Sequence, residues 1–318
     1  MNWDQAGFKM EKVIEETCSF AGPNWNIEKI KRFVLKVKET NQIIEASYYI
    51  HFNSNEGKLI NVGFEPSGSY GCPIGCLFCA SGALRPIQPL DGRQIANQVL
   101  LLIDDCRRTH KEIESIPKYI FYVGIGEPTL IANQLITASN LICKKYPGLS
   151  FKISTMAAVP RAIIQFAKSN LPLRSIQLSL PHWDEKKLKY LFANDAEYNL
   201  TSVLKAIKKF SILRPQTKIK INYIGIKGYN DTFEDIRKTI NLVRQYLKKK
   251  FELKISCLNP TEISRKNALS SMTPRELESF AKFAQSLGVA DVYLFGPMMN
   301  PEKKIGCGQL AGDYNCKT

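Results

Sequence analysis

Three cysteines fall within eight residues of a 318-residue chain: Cys72, Cys76 and Cys79, in GSYGCPIGCLFCASG. The chain has nine cysteines, an odd number that suits metal or redox chemistry better than a disulfide framework. Three thiolates spaced Cys-x3-Cys-x2-Cys can hold three irons of a [4Fe–4S] cubane. The fourth iron is then open to a small ligand bearing amino and carboxylate groups. Gly71 and Gly75 let the backbone wrap closely around such a group. Zinc is the competing reading, since structural zinc takes four protein ligands. Cys106 and His110, four apart on a predicted helix, could help complete that set, but the spacing suits the cluster better.

Five further stretches carry candidate chemistry. GIGEPTL (124–130) puts a glycine and a carboxylate, Gly126 and Glu127, directly after a strand-like run. A carboxylate there suits an ammonium, and the glycine permits close backbone approach. ISTMAAVP (153–160) offers Ser154, LSLPHWDE (178–185) offers Ser179, and LNPTE (258–262) offers Asn259. Each alone reads as a loop cap; their order after successive strands is the signal. IGCGQLAGDYNC (305–316) sets Cys307 between glycines, with Cys316 beyond.

Together these motifs resemble the radical S-adenosylmethionine (SAM) enzymes of the RlmN/Cfr type, which methylate adenine in RNA. The similarity runs from about residue 43 to 313. It implies a [4Fe–4S] cluster on Cys72, Cys76 and Cys79, with SAM held by Gly126, Glu127, Ser154, Ser179 and Asn259. It implies that Cys307 is methylated by one SAM, that a radical from a second SAM activates that methyl group, and that the carbon passes to an sp2 carbon. A flavodoxin or ferredoxin is the implied electron donor. IIEASYY (43–49) resembles the family stretch with a substrate-contacting glutamate, here Glu45. The family's second catalytic cysteine is replaced by Glu65, which can take a proton but cannot form a disulfide. Cys257 is a possible substitute thiol or a packing residue. Pro181 stands where the family has histidine, with His182 one place late. The family's last-strand arginine is absent from YLFGPMM (293–299), and the residues before the matching region do not resemble its RNA-binding extension.

These motifs need a scaffold. Strand-like runs at 119–124, 151–155, 175–180, 218–224, 253–257 and 291–295 alternate with helix-like stretches at 93–111, 201–213, 232–249 and 273–288. Repeated βα units predict an α/β fold, a partial (β/α)6-type barrel with its site at the C-terminal strand ends. We expect an N-terminal extension over 1–57, a barrel over 58–296 and a cysteine-bearing tail over 297–318. In the extension, helices are predicted at about 4–17 and 26–40, and a strand at 43–52. No long apolar run or signal peptide is evident, so the expectation is a cytoplasmic protein with no membrane partner. The net charge is +15, with basic clusters at 28–38, 214–228 and 244–250. Such a surface suits an RNA partner, although aromatic-interleaved basic loops are not evident. The alternatives are an enzyme of the same build acting on a small molecule or peptide, and a non-catalytic iron–sulfur or zinc RNA-binding protein.

Overall fold

A computed structural model describes residues 2–19, 26–53, 57–116, 118–193, 198–296, 306 and 308–315. Cys307, Cys316 and residues 297–305 lie outside the described residues.

Four strands open the chain: β1 (Phe8–Ser19), β2 (Asn26–Val37), β3 (Ile43–Asn53) and β4 (Leu59–Glu65). Six βα crossovers follow. They are α1 (Gly92–Thr109) and β5 (Lys118–Tyr122), α2 (Ala132–Lys145) and β6 (Ser150–Thr155), then α3 (Pro160–Lys168) and β7 (Leu173–Ser179). Next come α4 (Glu185–Leu191) with α5 (Leu200–Leu213) and β8 (Lys218–Gly225), then α6 (Phe233–Leu247) and β9 (Glu252–Cys257). Helices α7 (Glu262–Lys266) and α8 (Pro274–Ser286) lead to β10 (Val292–Phe295), and α9 (Gln309–Asn315) lies in the tail.

The strands join in chain order into one ten-stranded sheet. Pairs from β1 to β4 are antiparallel; those from β4 to β10 are parallel. Each helical crossover returns the chain to start the next parallel strand beside the last. One face of the parallel strands carries the buried Ile120, Ile153, Ile176, Leu178, Ile221 and Ile255, in the main core with the apolar faces of the helices. On α1 that face is Ile95, Val99, Leu102 and Cys106, at helical spacing. Asp91 caps α1 through a reciprocal bond pair with Gln94, and Thr273 caps α8 in the same way with Glu276. The other face alternates with the first by strand period and lines the concave side.

The predicted N-terminal helices are strands β1 and β2. Glu- and Lys-rich composition favours helix, but tertiary pairing overrides it. Phe33, Leu35 and Val37 alternate into the main core, while Val34 faces Leu310 and Ala311 of the tail. Eleven register pairs with β3 then complete the hydrogen bonding of β2. Among the described residues, no helix is long and apolar enough to cross a membrane.

Candidate active site at the C-terminal strand ends

The cysteine loop leaves the end of β4 and is held by backbone on several sides. Cys72 N–H donates to Ser81 O at 3.0 Å, Cys79 N–H to Cys76 O at 3.0 Å, and Leu77 N–H to Leu191 O at 3.0 Å. From beyond β9, Thr261 Oγ1 donates to Phe78 O at 3.0 Å and Asn267 Nδ2 to Leu77 O at 3.0 Å. Gly75 has φ +72°, and a Cβ on Gly82 would come within 2.8 Å of Gly75 Cα. The wrap therefore needs glycine at both places. Burial pushes the Cys72 thiol up to about 12, and neighbouring Cys79 adds to it. Cys76 is raised by burial first, then by Cys79 and Cys72. The three sulfurs thus lie within electrostatic reach of one another on one wrapped loop.

That donor set fits a cubane, whose thiolates bind three different irons. Among the described residues, no group of three His, Cys, Asp or Glu side chains converges on a single ion position. Cys106 is fully buried in the main core, where it acts on Tyr48 and on Lys118 at the start of β5. Both of these contacts lie away from the cysteine loop.

The other candidates lie along the same edge. Gly126 has φ +118°, and a Cβ there would meet Ser69 Oγ at 2.5 Å. Glu127, fully buried, accepts from Thr129 N at 3.2 Å, Thr129 Oγ1 at 2.6 Å, Thr155 Oγ1, and Met156 N at 3.2 Å. Burial raises its carboxyl, and the threonine donors pull it back. These donors fix the carboxylate between the ends of β5 and β6, and its charge is felt by Cys72 and Cys76. Ser154 accepts from Gln177 Nε2 at 2.7 Å. Ser179, the last residue of β7, is half-buried opposite Asn222. His182 is buried and engaged elsewhere: its Nδ1 accepts from Asp184 N at 2.9 Å and its Nε2 lies 3.2 Å from Asp235.

Glu45 and Glu65 meet the tail together with Arg32, Ser47 and Tyr49, three residues that the sequence did not single out. Arg32, on β2, is 1% exposed. It donates to Ser47 Oγ at 2.8 Å, Glu45 Oε2 at 3.1 Å, Tyr49 Oη at 2.9 Å and Gly306 O at 2.8 Å. Glu45 accepts from Gly308 N at 2.9 Å and Ala311 N at 2.7 Å, so a β3 carboxylate caps the first turn of α9. Burial raises Glu45; Arg32 and the two tail amides lower it. Glu65 accepts from Tyr49 Oη at 2.7 Å and lies 3.8 Å from Arg32. Gln309 closes the other side: Gly306 N donates to its Oε1 at 2.6 Å, and its Nε2 donates to Pro260 O at 3.2 Å. A Cβ on Gly308 would meet Ser81 N at 2.8 Å, and one on Gly306 would lie 3.5 Å from Asn259 Nδ2. The residues on both sides of position 307 are therefore fixed between Ser81, two residues past the last loop cysteine, and Asn259. Arg32 escaped notice because it sits in a lysine-rich run that reads as a solvated face. Cys257, at the end of β9, packs against Gly296 and the main core, and burial raises its thiol.

The chain is similar to known proteins in sequence and in fold. The sequence profile of the Radical SAM superfamily matches residues 67–243. A protein of Endomicrobium trichonymphae named as a probable dual-specificity RNA methyltransferase RlmN is 28% identical over 222 residues, covering 66% of this chain and 61% of its own length. The dual-specificity RNA methyltransferase RlmN of Helicobacter hepaticus is 29% identical over 263 residues, covering 79% of this chain and 67% of its own. The chain spans 50–61% of the length of the first curated relatives it matches. In fold it is similar to a radical SAM methyltransferase from Sphaerobacter thermophilus, with TM-score 0.75 and 16% identity over 95% of this chain and 81% of that one.

Proposed function

Starting from the chain's membership of the radical SAM superfamily, an enzyme family that uses a [4Fe–4S] cluster and SAM, we propose that it transfers a SAM-derived methyl carbon through Cys307 to an sp2 carbon of adenine in RNA. The relatives' RNA methyltransferase names support this reading. The observation that carries it is the docking of Gly306 and Gly308 between the cysteine loop and Asn259. A tail anchored there on both sides of position 307 supports a thiol-carried reaction.

Cys72, Cys76 and Cys79 would hold the cluster, which when bound supplies the electron that cleaves SAM. The chain's own residues do the rest. Gly126 leaves room for backbone approach, and Glu127, immobilised by Thr129 and Thr155, presents fixed negative charge to the SAM ammonium. Ser154, Ser179 and Asn259 offer polar atoms along the same edge. Glu45 keeps the tail in place. Glu65 stands where the family has its second cysteine, so the disulfide-forming release step is unavailable at that position unless another thiol replaces it. A flavodoxin or ferredoxin serves as electron donor.

The second reading, an enzyme of the same build acting on a small molecule or peptide, draws on Glu65 alone. A carboxylate tied to Tyr49 and Arg32 cannot perform the thiol step.

The test is anaerobic reconstitution with iron and sulfide, addition of SAM without reductant, and mass spectrometry of the peptide containing Cys307. One added methyl on Cys307 is expected. An unmodified Cys307, in protein that carries a full cluster and cleaves SAM once reduced, rules out the thiol-carried mechanism.

A further inference from the structure

The concave face of the sheet holds more than the SAM candidates. Strand register puts Phe121 beside Lys152, Gln177 beside Lys220, and Lys254 beside Tyr293, all on the face that carries Ser154 and Ser179. The mixture is unusual for a barrel interior: lysines interleaved with aromatic rings. Lys152 Nζ lies 3.6 Å from the centre of the Tyr119 ring and 4.7 Å from that of Phe121. The two rings are stacked, 6.3 Å apart and 9° from parallel. Phe121 lies flat on β4 because position 63 is glycine; a Cβ there would fall 2.1 Å from its ring. Lys220 and Lys254 lie over Tyr293 and Phe295 at 4.8 and 3.6 Å.

The charges on this face do not balance. Glu252 is engaged by Lys218 and Lys220. Lys152 has no carboxylate within ion-pairing distance among the described residues; Lys220 and Arg174 repel it, and Glu252 attracts it less strongly. A partly buried ammonium that rests on π faces, with no ion-pair partner among the described residues, is costly to the fold unless an anion arrives to meet it. Lys152 lies two residues before Ser154 on the same face, so that anion would sit one strand repeat below the candidate SAM edge. A flat aromatic pair beside an unpaired cation matches the chemistry of single-stranded nucleic acid, which offers a base face and a phosphate in succession.

We propose that this wall is a nucleotide subsite: Lys152, backed by Lys220, swings off the rings to take a phosphate of a single-stranded RNA segment, and the face it uncovers on the Tyr119–Phe121 pair takes a base. The proposal rests on the RNA reading above and adds where the strand lies. It also places on strands the aromatic and basic interleaving that is absent from the loops.

The test uses the full chain with its cluster and a fluorescein-labelled single-stranded decaribonucleotide, with anisotropy read across a salt series. Lys152→Met, which keeps the stem and drops the charge, should weaken binding about tenfold and lessen the salt slope by about 0.7, the value for one phosphate contact on a single strand. A companion measurement needs no variant: acylation of the Lys152 amine by acetic anhydride, read by mass spectrometry, should slow several-fold when the RNA is bound. RNA that binds the wild type while Lys152 is acylated as fast as in the free protein, with the variant's affinity and slope unchanged, overturns the subsite and leaves the RNA reading standing. Absence of RNA binding to the wild type overturns both.

Discussion

Replacing Glu45 by glutamine keeps the shape of the side chain and changes what the tail can bind. The carboxylate accepts two tail amides, Gly308 N at 2.9 Å and Ala311 N at 2.7 Å, besides Arg32. Hydrogen bonds to a charged group are worth about 1.5–3 kcal/mol each, and neutral ones about 0.5–1.5. Glutamine has one acceptor oxygen, so Glu45→Gln loses one amide bond and weakens the other. The loss is about 2–4 kcal/mol of docking free energy, or about 30- to 700-fold in the docked-to-undocked ratio. Amide hydrogen exchange at Gly308 and Ala311 reads that ratio directly, with the amides of β7 as reference. Exchange in the tail should accelerate by that factor while β7 stays protected. Unchanged tail exchange would show that Glu45 does not hold the tail. Equal acceleration in β7 would show that the charge network stabilises the whole sheet instead of clasping one segment.

Substituting any of Cys72, Cys76 or Cys79 by serine should abolish the visible iron–sulfur absorbance and reductive SAM cleavage while leaving the circular dichroism intact. Gly126→Ala sets a methyl group 2.5 Å from Ser69 Oγ at φ +118°, costing about 1–3 kcal/mol; calorimetry should find a lower melting temperature and lost SAM affinity. His51 is held down to about 4 by burial and then by Lys152, so Lys152→Met should raise its pKa, followed by NMR of the imidazole. Lys152 itself is lowered to about 8 from 10.5, by burial and then by Lys220. Between those pH values the unfolded chain binds more protons at this residue than the native one does, so its contribution to stability grows as pH rises from 8 to 10.5. Denaturant melts of wild type and Lys152→Met across that range should show the gain in the wild type alone.

The parallel part of the fold was legible because its signals are local: apolar runs in β5 to β9, a capping aspartate at 91 and a capping threonine at 273. The cysteine loop was legible because its chemistry is written in adjacent residues. The N-terminal strands were not, since lysine and glutamate in β1 and β2 mimic an exposed helix, and only pairing with β3 reveals that both faces of β2 are used. Arg32, Tyr49 and Ser81 were invisible for a related reason. Their partners stand far away in sequence, and nothing local separates a buried arginine from its basic neighbours. Lys152 was hidden in FKIST, a short run whose alternation marks a strand but does not say that the polar face meets aromatic rings.

Arg32 and Gly306 are 274 positions apart, and their bond sets an order on the molecule's birth. The second strand and the cysteine loop leave the ribosome long before residue 306 does. Through that interval Ser81 lacks its tail neighbour, and one flank of the loop is open to whatever delivers iron and sulfide. A cluster held by the loop would thus load most easily on the nascent chain or on a molecule with its tail undocked. Once the clasp shuts, the contacts of Gly306 and Gly308 that close this flank would also shield a loop-bound cluster from chelators and oxygen.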